Sequence, residues 1–211
     1  MNAGASPGIV QLVDDDADIR RALTRLLLSA AVPVRAFASA EEFLATADLA
    51  TAACLVLDLR MPGASGLDLQ AELAARGLDL PILFLTGYGD VRSGVSAMKS
   101  GAVDFLQKPV DAGEFLAAVA RAREQGAKRR ERAVVAAALH RRYASLTPRE
   151  QEVMALVVEG RLNKQVAAAL GVAEKTVKVH RARVMAKMGA ASLAELVRLA
   201  GRLAPPAAAP K

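Results

Sequence analysis

Cysteine occurs once in the 211 residues, as Cys54. A single thiol excludes an intramolecular disulfide framework and suits a reducing compartment. Flanked by the apolar run CLVLD, it reads as a small buried hydrophobe. Long hydrophobic runs are missing too, since no apolar stretch reaches the roughly 18 residues of a membrane-crossing helix. The N-terminus MNAGASPG lacks the basic stretch and following apolar stretch of a secretory signal. These absences point to a cytoplasmic protein with no membrane partner. Proline is absent from Ala112 to Thr147, and a helical pattern runs on there, with Gly126 the single glycine from Ala117 to Tyr143. That segment is either one long helix or a helix followed by a flexible basic tether.

The charge that is present is unevenly placed. Residues 1–125 carry 11 Lys and Arg against 16 Asp and Glu, whereas residues 126–211 carry 17 against 6. The length allows two small domains, and this asymmetry argues for them. A net charge of +11 in the second part suggests a polyanionic partner such as nucleic acid.

Through about residue 110, short aliphatic runs alternate with amphipathic patterns. Strands are expected at Ile9–Val13, Val32–Phe37, Cys54–Leu57, Ile82–Leu85 and Asp104–Gln107. Helices are expected at Ala17–Ser29, Gly66–Arg76, Val91–Lys99 and from Ala112 onward. Such alternation predicts an α/β fold, a five-stranded parallel sheet with helices on both faces.

Ligands of an open parallel sheet bind beyond the carboxyl ends of its strands. Here the first strand exits into Asp14 and Asp15, the third into Asp58, the fourth into Thr86 and the fifth into Lys108 and Pro109. A carboxylate can attack a phosphoryl group to give an aspartyl phosphate, but the two anions must first be brought together. Mg²⁺ would do so, because it takes hard oxygen ligands from one or two carboxylates plus a substrate phosphate. Lys108 could pair with one phosphate oxygen and Thr86 could hydrogen-bond another. Asp16 or Asp18 suits the start of the next helix, Asp68 and Asp79 read as capping or surface acids, and Phe105 alone reads as core.

Taken in order, VDDDADIR, LVLDLRMPGASGLDL, ILFLTGYGD and AVDFLQKPV resemble the receiver domain of two-component response regulators, over nearly all of residues 8–122. The resemblance implies that Asp58 is the phosphoacceptor and that Asp14, Asp15, Asp58 and the Arg60 backbone carbonyl hold Mg²⁺. It implies that Thr86 and Lys108 sense the phosphate, that Phe105 is a rotating aromatic switch, and that the Lys108–Pro109 bond is cis.

After Ser145 the punctuation becomes regular. T-P-R-E at Thr147–Glu150 is a capping box with proline at the first helical position. It opens a helix running to about Glu159. Asn163 is expected to cap Lys164–Leu170, Gly171 ends that helix, and Glu174–Met188 and Leu193 to about Leu203 follow. Two short helices joined by a glycine-containing turn suit insertion of the second into a DNA major groove. On that helix Val177, His180, Val184 and Met188 form an inner stripe. Lys175, Thr176, Lys178, Val179, Ala182 and Arg183 form the outward, DNA-contacting face. A lone histidine on the inner stripe reads as packed and hydrogen-bonded.

The segment from LTPRE to SLAEL resembles the LuxR-type DNA-binding domain, particularly its FixJ branch. It departs from that family at Ala173, where a serine often caps the recognition helix. The organisation expected is a receiver domain at 1–122, a helical basic linker at 123–142, a LuxR-type helix-turn-helix domain at 143–204 and a disordered tail at 205–211. The joint resemblance implies a phosphorylation-activated transcription regulator rather than an enzyme. A sensor histidine kinase would be its donor, double-stranded promoter DNA its target, RNA polymerase a further partner, and phosphorylation would make it a homodimer. A metal-dependent aspartyl-phosphate phosphatase starting from the D-x-D pair Asp14 and Asp16 is the enzyme alternative. A receiver with an RNA- or protein-binding output is the other.

Overall fold

A computed structural model describes residues 8–87 and 101–203. The chain forms two compact units divided between Arg130 and Glu131. In the first, strands β1 (Ile9–Val13), β2 (Val34–Phe37), β3 (Ala52–Asp58), β4 (Ile82–Thr86) and β5 (Asp104–Gln107) make one parallel sheet. Its order is β2-β1-β3-β4-β5.

Every residue of β3 is buried, as expected for a central strand covered on both faces. Successive side chains of a strand point to opposite faces. Cys54 and Val56 therefore join one core with Leu83, Leu85, Phe115 and Val119. Leu55 and Leu57 join the other with Phe37, Phe43, Leu69 and Phe84. Cys54 is the buried hydrophobe its neighbours suggested, and burial pushes its thiol pKa up to about 12.

The helices are α1 (Ala17–Ser29), α2 (Ala40–Thr46), α3 (Gly66–Ala75) and α4 (Ala112–Ala144), the last a single helix of 33 residues. Two points differ here from the sequence expectations, and two others lie beyond what the structure describes. β2 starts at Val34, because the Val32 amide donates to Leu27 O at 2.9 Å and so closes the end of α1 instead of joining the sheet. The short α2, capped by Ser39, was not foreseen. The expected helix at Val91–Lys99 and the expected tail at 205–211 lie outside the described residues.

Gly126, in the interior of α4, has a packing reason. A Cβ there would lie 2.0 Å from Ala53 O, so the helix can rest on the start of β3 only without a side chain. Arg130 adds a bond to Ala52 O at 2.9 Å, one turn further on.

The second unit contains the end of α4 with α5 (Pro148–Val158), α6 (Asn163–Leu170), α7 (Glu174–Met188) and α8 (Leu193–Leu203). They enclose a core that includes Leu139, Leu146, Val153, Val166, Val177, Val184, Met188 and Leu196. Thr147 and Glu150 form the expected capping box at the start of α5. Asn163 is not the cap of α6. Leu162 occupies that position, and its amide donates to Gln165 Oε1 at 2.9 Å. Asn163 lies inside the first turn, where its Oδ1 accepts from Arg181 Nη1 at 3.1 Å.

One glycine sets the turn after Asp58. A Cβ on Gly66 would lie 2.3 Å from the Asp58 backbone oxygen and 3.1 Å from Leu59 Cα. Gly66→Ala should therefore destabilise the first unit by about 1–3 kcal/mol. Thermal melting checks this, and an unchanged midpoint would mean that the loop absorbs the methyl group freely.

Candidate functional site

In a sheet ordered 2-1-3-4-5 the chain leaves β1 and β3 in opposite directions, opening a crevice at their carboxyl ends. Asp14 follows β1 and is fully buried, Asp58 ends β3 and is 6% exposed, and Asp15 is exposed. One carboxylate oxygen from each lies within 4.8 Å of the others. Lys108, which follows β5, places Nζ 2.7 Å from Asp14 Oδ2 and 2.7 Å from Asp58 Oδ2. Its peptide bond to Pro109 is cis.

Three carboxylates against one ammonium leave an excess of negative charge at a partly dry rim. Burial raises the Asp14 pKa above its usual value, against the hydrogen bond and charge of Lys108. For Lys108 burial works the other way, but the bonds to Asp14 and Asp58 outweigh it and its pKa is raised. Converging carboxylate oxygens beside a pocket short of positive charge are the donor set a hard divalent cation requires, so the residues fit Mg²⁺. The Arg60 amide donates to Asp58 Oδ1 at 3.2 Å and fixes that carboxylate's orientation.

Thr86 closes β4 and is buried, with its hydroxyl donating to Gly87 O at 3.3 Å. The Lys108 amide bonds Thr86 O at 2.8 Å. Thus the four strand exits named from the sequence converge. Phe105 is 40% exposed on β5, which contradicts its reading as core. Its neighbour in register is the buried Phe84, so the two rings share a face of the sheet, with Phe105 out on the edge strand.

Two contacts that support this rim have no sequence signature. Arg20 of α1 donates from Nη1 to Asp14 O at 2.7 Å. Glu41 of α2 accepts from the Ala64 amide at 3.3 Å and steadies the loop after Asp58. Asp16 caps α1 through bonds from the Asp18 and Ile19 amides, as its position suggested. It is therefore committed to the helix and unavailable as the second acid of a D-x-D phosphatase. Asp68 completes a capping box with Ser65, and Asp79 pairs with Arg129 at 2.7 Å.

In the second unit α7 buries Val177, Val184 and Met188 and exposes Lys175, Thr176, Lys178, Val179, Ala182 and Arg183. Among the described residues Lys178 makes only a surface pair, with Glu174 at 3.3 Å. His180 is half-buried, but its Nδ1 has no partner among the described residues, so the expected hydrogen bond at that atom is not made. Ala173 precedes α7 with no side-chain cap.

Residues 10–120 match the family model of the response regulator receiver domain. Residues 144–200 match that of the bacterial regulatory proteins of the luxR family. Nodulation protein W of Bradyrhizobium diazoefficiens is 50% identical over 199 residues, 94% of this chain and 88% of that protein. The transcriptional regulatory protein FixJ of Azorhizobium caulinodans is 45% identical over 195 residues, 90% of each chain. A solved structure of the response regulator StyR superposes with a TM-score of 0.81 at 43% identity, covering 93% of this chain and all of that one.

Removing the ammonium between Asp14 and Asp58 leaves two buried acids unpaired. Lys108→Ala should lower stability in EDTA by roughly 1–3 kcal/mol, less than for a fully buried pair because Lys108 retains some exposure. Excess Mg²⁺ should restore part of the loss. Denaturant melts with and without metal test this, and equal destabilisation in both would show that no cation replaces the lysine.

Proposed function

The chain belongs to the response regulators that join a receiver domain to a LuxR-type DNA-binding domain, and we propose that it works through phosphorylation of Asp58. It is a phosphorylation-dependent transcription regulator, and a sensor kinase and DNA are its partners. The observation that carries the assignment of the acceptor is the Lys108 ammonium held between Asp14 and Asp58 at adjoining strand ends.

An Asp58 carboxylate oxygen forms a new O–P bond as the P–N bond of the kinase's phosphohistidine breaks and the imidazole nitrogen takes the bonding pair. Lys108 donates to an oxygen of the transferred group, and the Thr86 hydroxyl turns from Gly87 O to another. Preorganised donors of this kind supply most of what phosphoryl transfer needs. Mg²⁺ held by Asp14, Asp15, Asp58 and the Arg60 carbonyl would neutralise charge shared by acceptor and phosphoryl group.

The product adds about −1.5 to −2 charges at the end of β3. Movement of Thr86 toward that charge frees space for the Phe105 ring, which changes the surface around β5. The altered surface forms a homodimer, and a dimer presents two α7 helices to two half-sites about one helical turn apart. Bound to a promoter, it meets RNA polymerase. The chain is not an enzyme in this reading. It accepts one phosphoryl group by a reaction that its own side chains promote, and slow hydrolysis returns it to the starting state in the cytoplasm. Among the described residues no helix is long and apolar enough to cross a membrane.

Asp58→Ala should abolish labelling by acetyl phosphate with Mg²⁺ while the fold persists, as judged by circular dichroism. Undiminished labelling would move the acceptor elsewhere. Lys178→Ala should weaken binding to duplex DNA across sequences and reduce the slope of log affinity against log salt by about 1. The check is a salt titration of the shift, with labelling at Asp58 unaltered.

A further inference from the structure

The polar ties of α7 are concentrated at its carboxyl end. Arg142, two residues before α4 ends, donates from Nη1 to Met188 O at 3.3 Å, the last residue of the recognition helix. The same guanidinium covers Gly189, whose φ is +68°, so closely that a Cβ there would lie 3.0 Å from Nη1. Lys187 bonds Ser145 O at 3.0 Å and Glu150 Oε2 at 2.6 Å. Glu150 is only 2% exposed. The segment from Arg142 to Glu150, which joins α4 to α5, therefore grips the final turn of α7. At the other end, Ala173 supplies no side-chain cap.

Orphan carbonyls and the negative dipole end of a helix make its last turn a favourable place for a guanidinium. Stability alone is a weak reason for the half-buried Glu150–Lys187 pair, because desolvation of Glu150 offsets part of the attraction. Its geometric effect is larger. A helix of this length extends about 22 Å, so a tilt of about 5° about its carboxyl end moves its first residue by about 2 Å. That exceeds the tolerance of a hydrogen bond to a base edge. The amino-terminal residues of a recognition helix read the bases, so orientation set at the far end decides whether they reach them.

We propose that Arg142 is a positioning residue for DNA recognition, holding the carboxyl end of α7 so that its amino-terminal residues meet the base edges in register. The inference rests on the DNA-binding reading of the second unit and adds a role for a residue of the linker helix. Arg142 acts through α7 and not by touching DNA.

The test uses the full-length protein, a duplex that the wild type selects from a random-sequence pool, and a scrambled duplex of the same composition. Arg142→Met should bind the selected duplex on the order of tenfold more weakly, with binding to the scrambled duplex and the salt slope of the selected one nearly unchanged. Arg142→Gln, which keeps an N–H donor, should recover part of the loss. Exchange of the Met188–Ala190 amides should quicken in Arg142→Met while acetyl phosphate labelling stays at the wild-type level, separating misorientation from unfolding. Unchanged discrimination between the duplexes would overturn the proposal. So would an equal loss on both duplexes with the slope reduced by about 1, which marks a direct phosphate contact. Selection of no duplex by the wild type would instead overturn the DNA-binding reading itself.

Discussion

Two carboxylates buried side by side require a cation, and in the first unit the ammonium of Lys108 supplies it at 2.7 Å from both Asp14 and Asp58. Much else follows from that requirement. Lys108 must reach past the end of β4, so β5 ends beside it, and the Lys108 amide is tied to Thr86 O. Asp14 must stay at the mouth of β1, where Arg20 holds its carbonyl. Asp58 must leave β3 without tilting, which the Arg60 amide and the close approach of Gly66 enforce. Even then one positive charge faces three negative ones. The rim is electrostatically unfinished, and its converging carboxylate oxygens suit a hard cation.

The same arrangement bears on the proposed phosphorylation of Asp58. An ammonium has three protons, and two already serve Asp14 and Asp58. In the proposed function, a phosphoryl group on Asp58 would compete for them while adding negative charge, which would draw Lys108 and the Thr86 hydroxyl toward it. The Thr86 hydroxyl holds only a 3.3 Å bond to Gly87 O, a weak tie that a charged acceptor readily outbids.

Much of this rim was legible in the sequence because strand ends are a local signal. An apolar run followed by an abrupt acid, hydroxyl or lysine marks both the strand and the side chain it presents. The buried alternation of Cys54, Leu55, Val56 and Leu57 then needs only one sheet between two helical layers. What escaped depended on partners distant in sequence or on weak periodicity. Helix α2 spans seven residues and buries only Ala40 and Phe43, too little for a pattern. Val32 is a β-branched residue drawn into the end of α1 by one backbone bond. Asn163 has the chemistry of a cap, but Leu162 sits at the cap position and the Asn163 side chain is taken by Arg181, 18 residues away. Glu41 and Arg20 act on residues 23 and 6 positions away through bonds that no motif announces.

The second unit shows the complementary economy. Its outward face is nearly free of internal duties, with Lys175, Thr176, Lys178, Val179, Ala182 and Arg183 exposed. Its inward face is fully committed through Val177, Val184 and Met188. A helix that must offer its amino-terminal side chains to another molecule cannot also have them restrained by its own domain. Restraint therefore falls on the carboxyl end, through Arg142, Ser145 and Glu150, with Arg181 and Asn163 midway. The start of α7 at Ala173, which has no side-chain cap, fits the same division. The amino-terminal end of α7 is held least, and its carboxyl end is held most.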